Sequence, residues 1–86
     1  MIKDKIRMAT NPAGDEYWWK GNTYHREDGP AITYSSGTRL WIVNGVAHNE
    51  DGPACIYFDG QKEWWIDGIE ISEEMFLKQK LLKLLK

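Results

Sequence analysis

Residues 17–39 read YWWKGNTYHREDGPAITYSSGTR, and residues 40–62 read LWIVNGVAHNEDGPACIYFDGQK. Laid one over the other without a gap, the two stretches agree at nine of 23 positions. The matches include His25 and His48, the runs 27–31 and 50–54, Tyr34 and Tyr57, and Gly37 and Gly60. Trp18, Trp41 and Trp64 stand at the same 23-residue step, so a third, partial copy covers residues 63–71. Stepping back from Gly37 lands on Gly14, which places a degenerate first hairpin in residues 4–20. A fixed period of this length means one supersecondary unit used several times.

Each unit reads as a hairpin. Residues 31–35 and 54–58 carry the Ile, Thr, Tyr and Phe that suit strands. Ser35-Ser36-Gly37 and Phe58-Asp59-Gly60 follow, with glycine where a tight turn asks for positive φ. Return strands are expected at 15–20, 39–43 and 62–66, closed by Asn44-Gly45 and Asp67-Gly68. Together with an opening strand at 4–11, this predicts about six strands in consecutive antiparallel hairpins. From Ser72 the period changes. Ser72 suits a helix cap, Glu73 and Glu74 suit the positive end of the helix dipole, and lysines gather towards its other end. Phe76, Leu77, Leu81, Leu82, Leu84 and Leu85 recur at helical spacing, opposite Gln79, Lys80, Lys83 and Lys86. Residues 72–86 are therefore expected to form an amphipathic helix that lies as a lid on the sheet, with a membrane-surface helix as the other reading. The fold class expected is mainly β with a C-terminal helix, in one domain spanning 1–86.

Composition fits that reading. At 86 residues the chain is a small domain, and a fold of this size needs a staple or dense packing. A lone cysteine, Cys55, excludes an internal disulfide. Five Trp, four Tyr and two Phe supply aromatic mass instead, each ring removing roughly 150–250 Å² from water when buried. The net charge of −2 argues against a generic nucleic-acid binder. No apolar run approaches a membrane span, and the opening residues lack the apolar stretch of a secretion signal. A reducing, cytoplasmic setting is the expectation.

Strand alternation puts Trp18, Trp41 and Trp64 on one face and Trp19, Ile42 and Trp65 on the other, near Tyr17 and Leu40. Both faces are thus apolar. Either every tryptophan is buried in the monomer, or an aromatic face is left for recognition. The loops carrying His25, Asp28, Gly29 and Pro30, and His48, Asp51, Gly52 and Pro53, invite an acid–base or metal reading. They have a sufficient backbone account as well. Aspartate bonds its own downstream amides, glycine permits an unusual φ, proline fixes the next strand, and histidine pins successive hairpins. A tie is needed in every unit, whereas one reaction centre is not, so these residues are expected to be structural, with no catalytic, metal or cofactor site. Cys55, the counterpart of Ile32, is expected to be a small buried side chain.

The Trp-bearing hairpins linked by His-Arg-Glu-Asp-Gly-Pro-Ala at 25–31 resemble the MORN-like repeats of bacteriophage and large-virus proteins. The close, Asp67-Gly68 and then Ile-Ser-Glu-Glu before the helix, is similar to how such proteins finish. The resemblance covers about residues 12–80 and departs at Asn49, where Arg26 has no counterpart, and at 71–75. It implies an elongated, twisted antiparallel sheet used as a binding scaffold, without shared catalytic residues.

The leading expectation is a non-enzymatic protein-binding module. The viral-type resemblance extends this to a small phage protein that occupies and blocks a host anti-phage defence component, such as a CRISPR–Cas factor, in the host cytoplasm. Its partner-binding candidates are Tyr17, Trp19, Leu40, Ile42, Trp65, Lys80 and Lys83. The alternatives are a nucleotide or nucleic-acid sequestering module that stacks bases on its aromatics, and a structural module that oligomerises through sheet edges or the helix. A homodimer fits so short a chain, because joining two copies buries further surface.

Overall fold

The computed structural model describes residues 5–85. It is mainly antiparallel β-sheet with one C-terminal helix. Among the described residues the strands are β1 (Ile6–Thr10), β2 (Glu16–Lys20), β3 (Thr23–Tyr24), β4 (Ile32–Thr33), β5 (Arg39–Leu40), β6 (Ile42–Val43), β7 (Val46–Ala47), β8 (Cys55–Ile56), β9 (Lys62–Ile66) and β10 (Ile69–Ile71). Helix α1 (Glu73–Leu84) comes last. The main sheet runs β1-β2-β4-β5-β8-β9-β10, with β3 paired to β2, and β6 and β7 form a separate ribbon.

Among the described residues ten strands replace the six or so expected, and the reason lies in how the return strands change partners. Trp41 interrupts 39–43: its N–H donates to the Ala54 carbonyl (2.7 Å) and its own carbonyl accepts from His48 (3.1 Å). Arg39 and Leu40 therefore stay in the main sheet, while Ile42 and Val43 turn away to pair with β7. The segments expected at 31–35 and 54–58 shorten to two residues each. Tyr34 and Tyr57 already belong to turns closed by Thr38 and Gln61. The strand start at Asp4 and the helix end at Lys86 lie outside the described residues.

Two kinds of turn bound the strands. At one edge, the amides of Gly14, Gly37 and Gly60 bond back to Asn11, Tyr34 and Tyr57, with each glycine at positive φ. This is a four-residue turn finished by a left-handed glycine, which matches strand twist. At the other edge Asn44-Gly45 and Asp67-Gly68 have positive φ at both positions, the mirror-image two-residue turn for which Asn-Gly and Asp-Gly are the favoured pairs.

Side chains strap neighbouring turns together at both edges. Asp15 Oδ1 accepts from the Ser35 amide (2.7 Å), and 23 residues on Thr38 Oγ1 accepts from the Phe58 amide (3.0 Å). At the opposite edge His25 Nδ1 accepts from Asn44 (2.8 Å) and His48 Nδ1 from Asp67 (2.9 Å). The Asn11 and Ser35 bonds hold the Asp15 carboxyl below its ordinary range.

The molecule is a slab, 42 × 37 × 18 Å. Only Ala31, Ile32, Ala54, Cys55 and Phe76 form a buried apolar core among the described residues, with His25 and Thr38 as buried polar companions. Small residues occupy the sheet centre, bonded to a neighbouring segment on each side: Ala31 and Ala54 accept from Trp18 and Trp41 and donate to Leu40 and Glu63.

The helix corrects the expected lid. Ser72 Oγ caps it by accepting from Met75 (3.0 Å). Yet only Phe76, 6 % exposed, is buried on it. Leu77, Leu81, Leu82, Leu84 and Leu85 all face solvent, Leu84 at 81 %. The lysines reach across to the acidic loop instead, while staying largely exposed themselves. Lys83 Nζ lies 3.5 Å from Glu50 Oε1 and Lys80 Nζ lies 3.8 Å from Asp51 Oδ1. On a 3.6-residue wheel Phe76, Lys80 and Lys83 share one side, so a single aromatic anchor beside an acidic loop carries the leucines outwards.

Candidate functional site

The two repeated loops stand side by side at one edge of the slab. His25 leaves β3 and is 2 % exposed. Because its Nδ1 accepts an amide proton, the ring proton sits on Nε2, which points at Glu27 Oε2 3.0 Å away. His48 repeats this with Glu50 Oε2 at 3.3 Å, but is more open at 16 %. Lys83 and His48 together hold the Glu50 carboxyl below its usual range.

The residue after each histidine sets the two loops apart. Arg26 lies over the Trp18 ring, its Cζ 4.0 Å from the centroid. Its Nε donates to Asp28 Oδ1 (2.8 Å), and Nη1 donates to the Pro30 carbonyl (3.3 Å) and faces Glu16 (3.7 Å). The hydrogen bond from Arg26 and its charge hold the Asp28 carboxyl low. In the second loop Asn49 Nδ2 donates to the Pro53 carbonyl (2.9 Å), and Asn49 Oδ1 accepts from the Asp51 amide (3.0 Å). The local side-chain turn expected from the aspartates is thus made by Asn49, while Asp28 and Asp51 reach towards Arg26 and Lys80.

The loop glycines also need a different explanation from the one their sequence invites. Neither Gly29 nor Gly52 has positive φ. A Cβ on Gly29 would meet Arg26 Cζ at 3.0 Å, so glycine there makes room for the guanidinium. At Gly52 the nearest atom is Asn49 Nδ2 at 3.8 Å.

The aromatic candidates divide into two groups. Tyr17 and Trp19 stack at 5.9 Å and are joined by Tyr24, 5.7 Å from Trp19, while Tyr34 sits edge-on to Tyr17. Arg7 caps this cluster 5.9 Å from the Trp19 centroid. Leu40 lies in β5, Ile42 in the separate ribbon and Trp65 in β9, where its indole N–H donates to Glu63 (2.9 Å). They do not join the cluster. All five tryptophans are half-buried, so the choice between full burial and a bare aromatic face resolves to neither. Lys80 and Lys83, expected as partner contacts, are occupied by the Asp51 and Glu50 carboxylates.

Cys55 is buried, and burial with the nearby Glu63 charge pushes its thiol up. Burial likewise raises the Tyr57 phenol to about 12. Neither group is poised for nucleophilic work at neutral pH. Among the described residues no three His, Cys, Asp or Glu side chains gather as metal ligands, and no buried side-chain polar atom lacks a partner. No helix among them is long and apolar enough to cross a membrane.

Two features escape the sequence reading. Arg26 is visible there only as the motif position that Asn49 lacks, and the outward leucine row reads as inward. Comparison with protein-family models, curated proteins and solved structures finds no match.

Proposed function

We propose that this chain is a non-enzymatic protein-binding module, built on a twisted MORN-like hairpin-repeat sheet. By the same resemblance it is a small phage-type protein that blocks a host defence component, such as a CRISPR–Cas factor, by covering a surface. The observation that carries the binding reading is the leucine row of α1. Leu77, Leu81, Leu84 and Leu85 follow helical spacing and stand in solvent, an exposed apolar row of the kind that marks an interaction site. Support for the repeat reading comes from hydrogen bonds that recur 23 residues apart. Trp18 and Trp41 donate to Ala31 and Ala54, and Arg26 and Asn49 donate to Ile42 and Trp65.

The test is affinity capture from host lysate with the parent protein and with Leu81→Lys. The expected result is a stoichiometric protein retained by the parent and lost by the variant, whose circular dichroism stays unchanged. Equal recovery with both proteins removes the helix face from the reading.

The same leucine row favours a second reading, self-assembly through the helix. Light scattering separates the two: a parent dimer that Leu81→Lys converts to a folded monomer supports assembly. The base-stacking alternative rests on Arg7 above the Tyr17, Trp19 and Tyr24 cluster, and predicts salt-dependent fluorescence quenching by oligonucleotides.

A further inference from the structure

We propose that the cleft between the two loops is a receptor for an arginine side chain of a polypeptide partner. The inference deepens the protein-binding reading and rests on it for the partner's being a polypeptide. Its own support is the difference between positions 23 residues apart.

The cleft has a volume of about 400 Å³. Trp41 lines it together with Glu27 and Asp28 of the first loop and Asn49, Asp51 and Gly52 of the second. Each element of the second loop has a counterpart in the first, and there the counterparts already hold a guanidinium. Trp18 offers its face to Arg26 at 4.0 Å, Asp28 accepts from Nε, the Pro30 carbonyl accepts from Nη1, and Gly29 leaves space for Cζ. Trp41, Asp51, the Pro53 carbonyl and Gly52 repeat the set. Asn49 reaches the carbonyl but is too short to cover the indole.

The surrounding charges favour a cation. Glu27 and Asp28 line the cleft from the first loop, where His25 (3.0 Å) and Arg26 (2.8 Å) already partner them, and Asp51 lines it from the second, so three carboxylates share it with no lining cation among the described residues. Lys80 touches Asp51 only at 3.8 Å, an exposed pair that an incoming guanidinium can displace. Arg39 stands 5.8 Å from the Trp41 centroid and does not line the cleft. An indole beside carboxylates selects a planar guanidinium over a compact ammonium, because the plane stacks while its edge donates in pairs.

The test titrates the full chain with three short blocked peptides, Gly-Arg-Gly, Gly-Lys-Gly and Gly-citrulline-Gly, following the assigned indole N–H resonances by NMR. The expected result is a saturable shift of the Trp41 indole with the arginine peptide, binding about tenfold tighter than either other peptide, a difference of about 1.4 kcal/mol. Asn49→Arg should supply the missing group from the chain itself. It is expected to raise the melting temperature and to weaken the arginine peptide about tenfold. An unshifted Trp41 resonance, equal affinity for citrulline, or undiminished binding by Asn49→Arg would overturn the proposal. Those results leave the helix-face reading standing, whereas Leu81→Lys tests that reading and is expected to leave the peptide titration unchanged.

Discussion

The loops at 25–31 and 48–54 share six of seven residues, yet one is closed upon itself and the other is open. In the first, Arg26 covers Trp18 and binds the loop's own aspartate and proline carbonyl. In the second, Asn49 keeps the carbonyl bond, and the indole of Trp41 borders a cleft. One side chain therefore separates a structural contact from a surface able to receive a partner. The histidines differ in the same direction, His25 being sealed and His48 partly open. Identical motif letters do not imply identical energetics when the neighbour differs.

The largest test of that contrast removes the histidines. His25→Ala empties the place of a buried ring and strips the Asn44 amide of its acceptor in a part-buried bond, and should cost about 2–3 kcal/mol in urea unfolding. His48→Ala, where water reaches the Asp67 amide, should cost about 1 kcal/mol. Equal losses would erase the distinction between the loops.

Next comes Arg26→Asn, which makes the first loop like the second. Loss of the stack on Trp18 should cost about 1 kcal/mol, and the Trp18 indole should then respond to the arginine peptide. A pH series sharpens this. Arg26 lowers the Asp28 carboxyl in the folded state, so the pair contributes stability above the ordinary carboxylate range. That stability is lost as pH falls through the lowered folded value. The difference between parent and variant should accordingly be largest at neutral pH and shrink in acid to the share that the stack on Trp18 supplies. A constant difference down to full protonation of Asp28 would mean that its charge plays no part.

A smaller contrast sets Gly29→Ala against Gly52→Ala. The first presses on Arg26 and should cost up to about 1 kcal/mol by unseating it, and that cost should vanish in the Arg26→Asn background. The second meets only ordinary contact and should change stability by less than about 0.5 kcal/mol. The smallest effect is expected for Lys83→Ala. Its exposed pair with Glu50 should contribute no more than about 0.5 kcal/mol, falling further in salt.

Much of the architecture is legible in the sequence. The strand at 62–66, the Ser72 cap and the glycine turns at 37 and 60 lie where their residues call for them. These are local effects: β-propensity, a side-chain oxygen aimed at an amide, a φ that other residues resist. The departures are non-local. The leucines of α1 define an amphipathic helix but not which side docks, and Phe76 with two lysines beside Glu50 and Asp51 outweighs five leucines. Trp41 looks like mid-strand because nothing in 39–43 announces that its two halves join different sheets. Gly29 looks like a conformational requirement, and the need for it comes from the girth of a side chain three residues away.

The straps at the two edges have a consequence for how such a chain can change length. Each ties a side chain to an amide 19 or 20 positions further on. A single residue inserted between their ends shifts both fastenings out of alignment, while duplication of a complete 23-residue block brings its own clasps with it. Growth and shrinkage are quantised, and variation in reach comes by adding or deleting whole rungs.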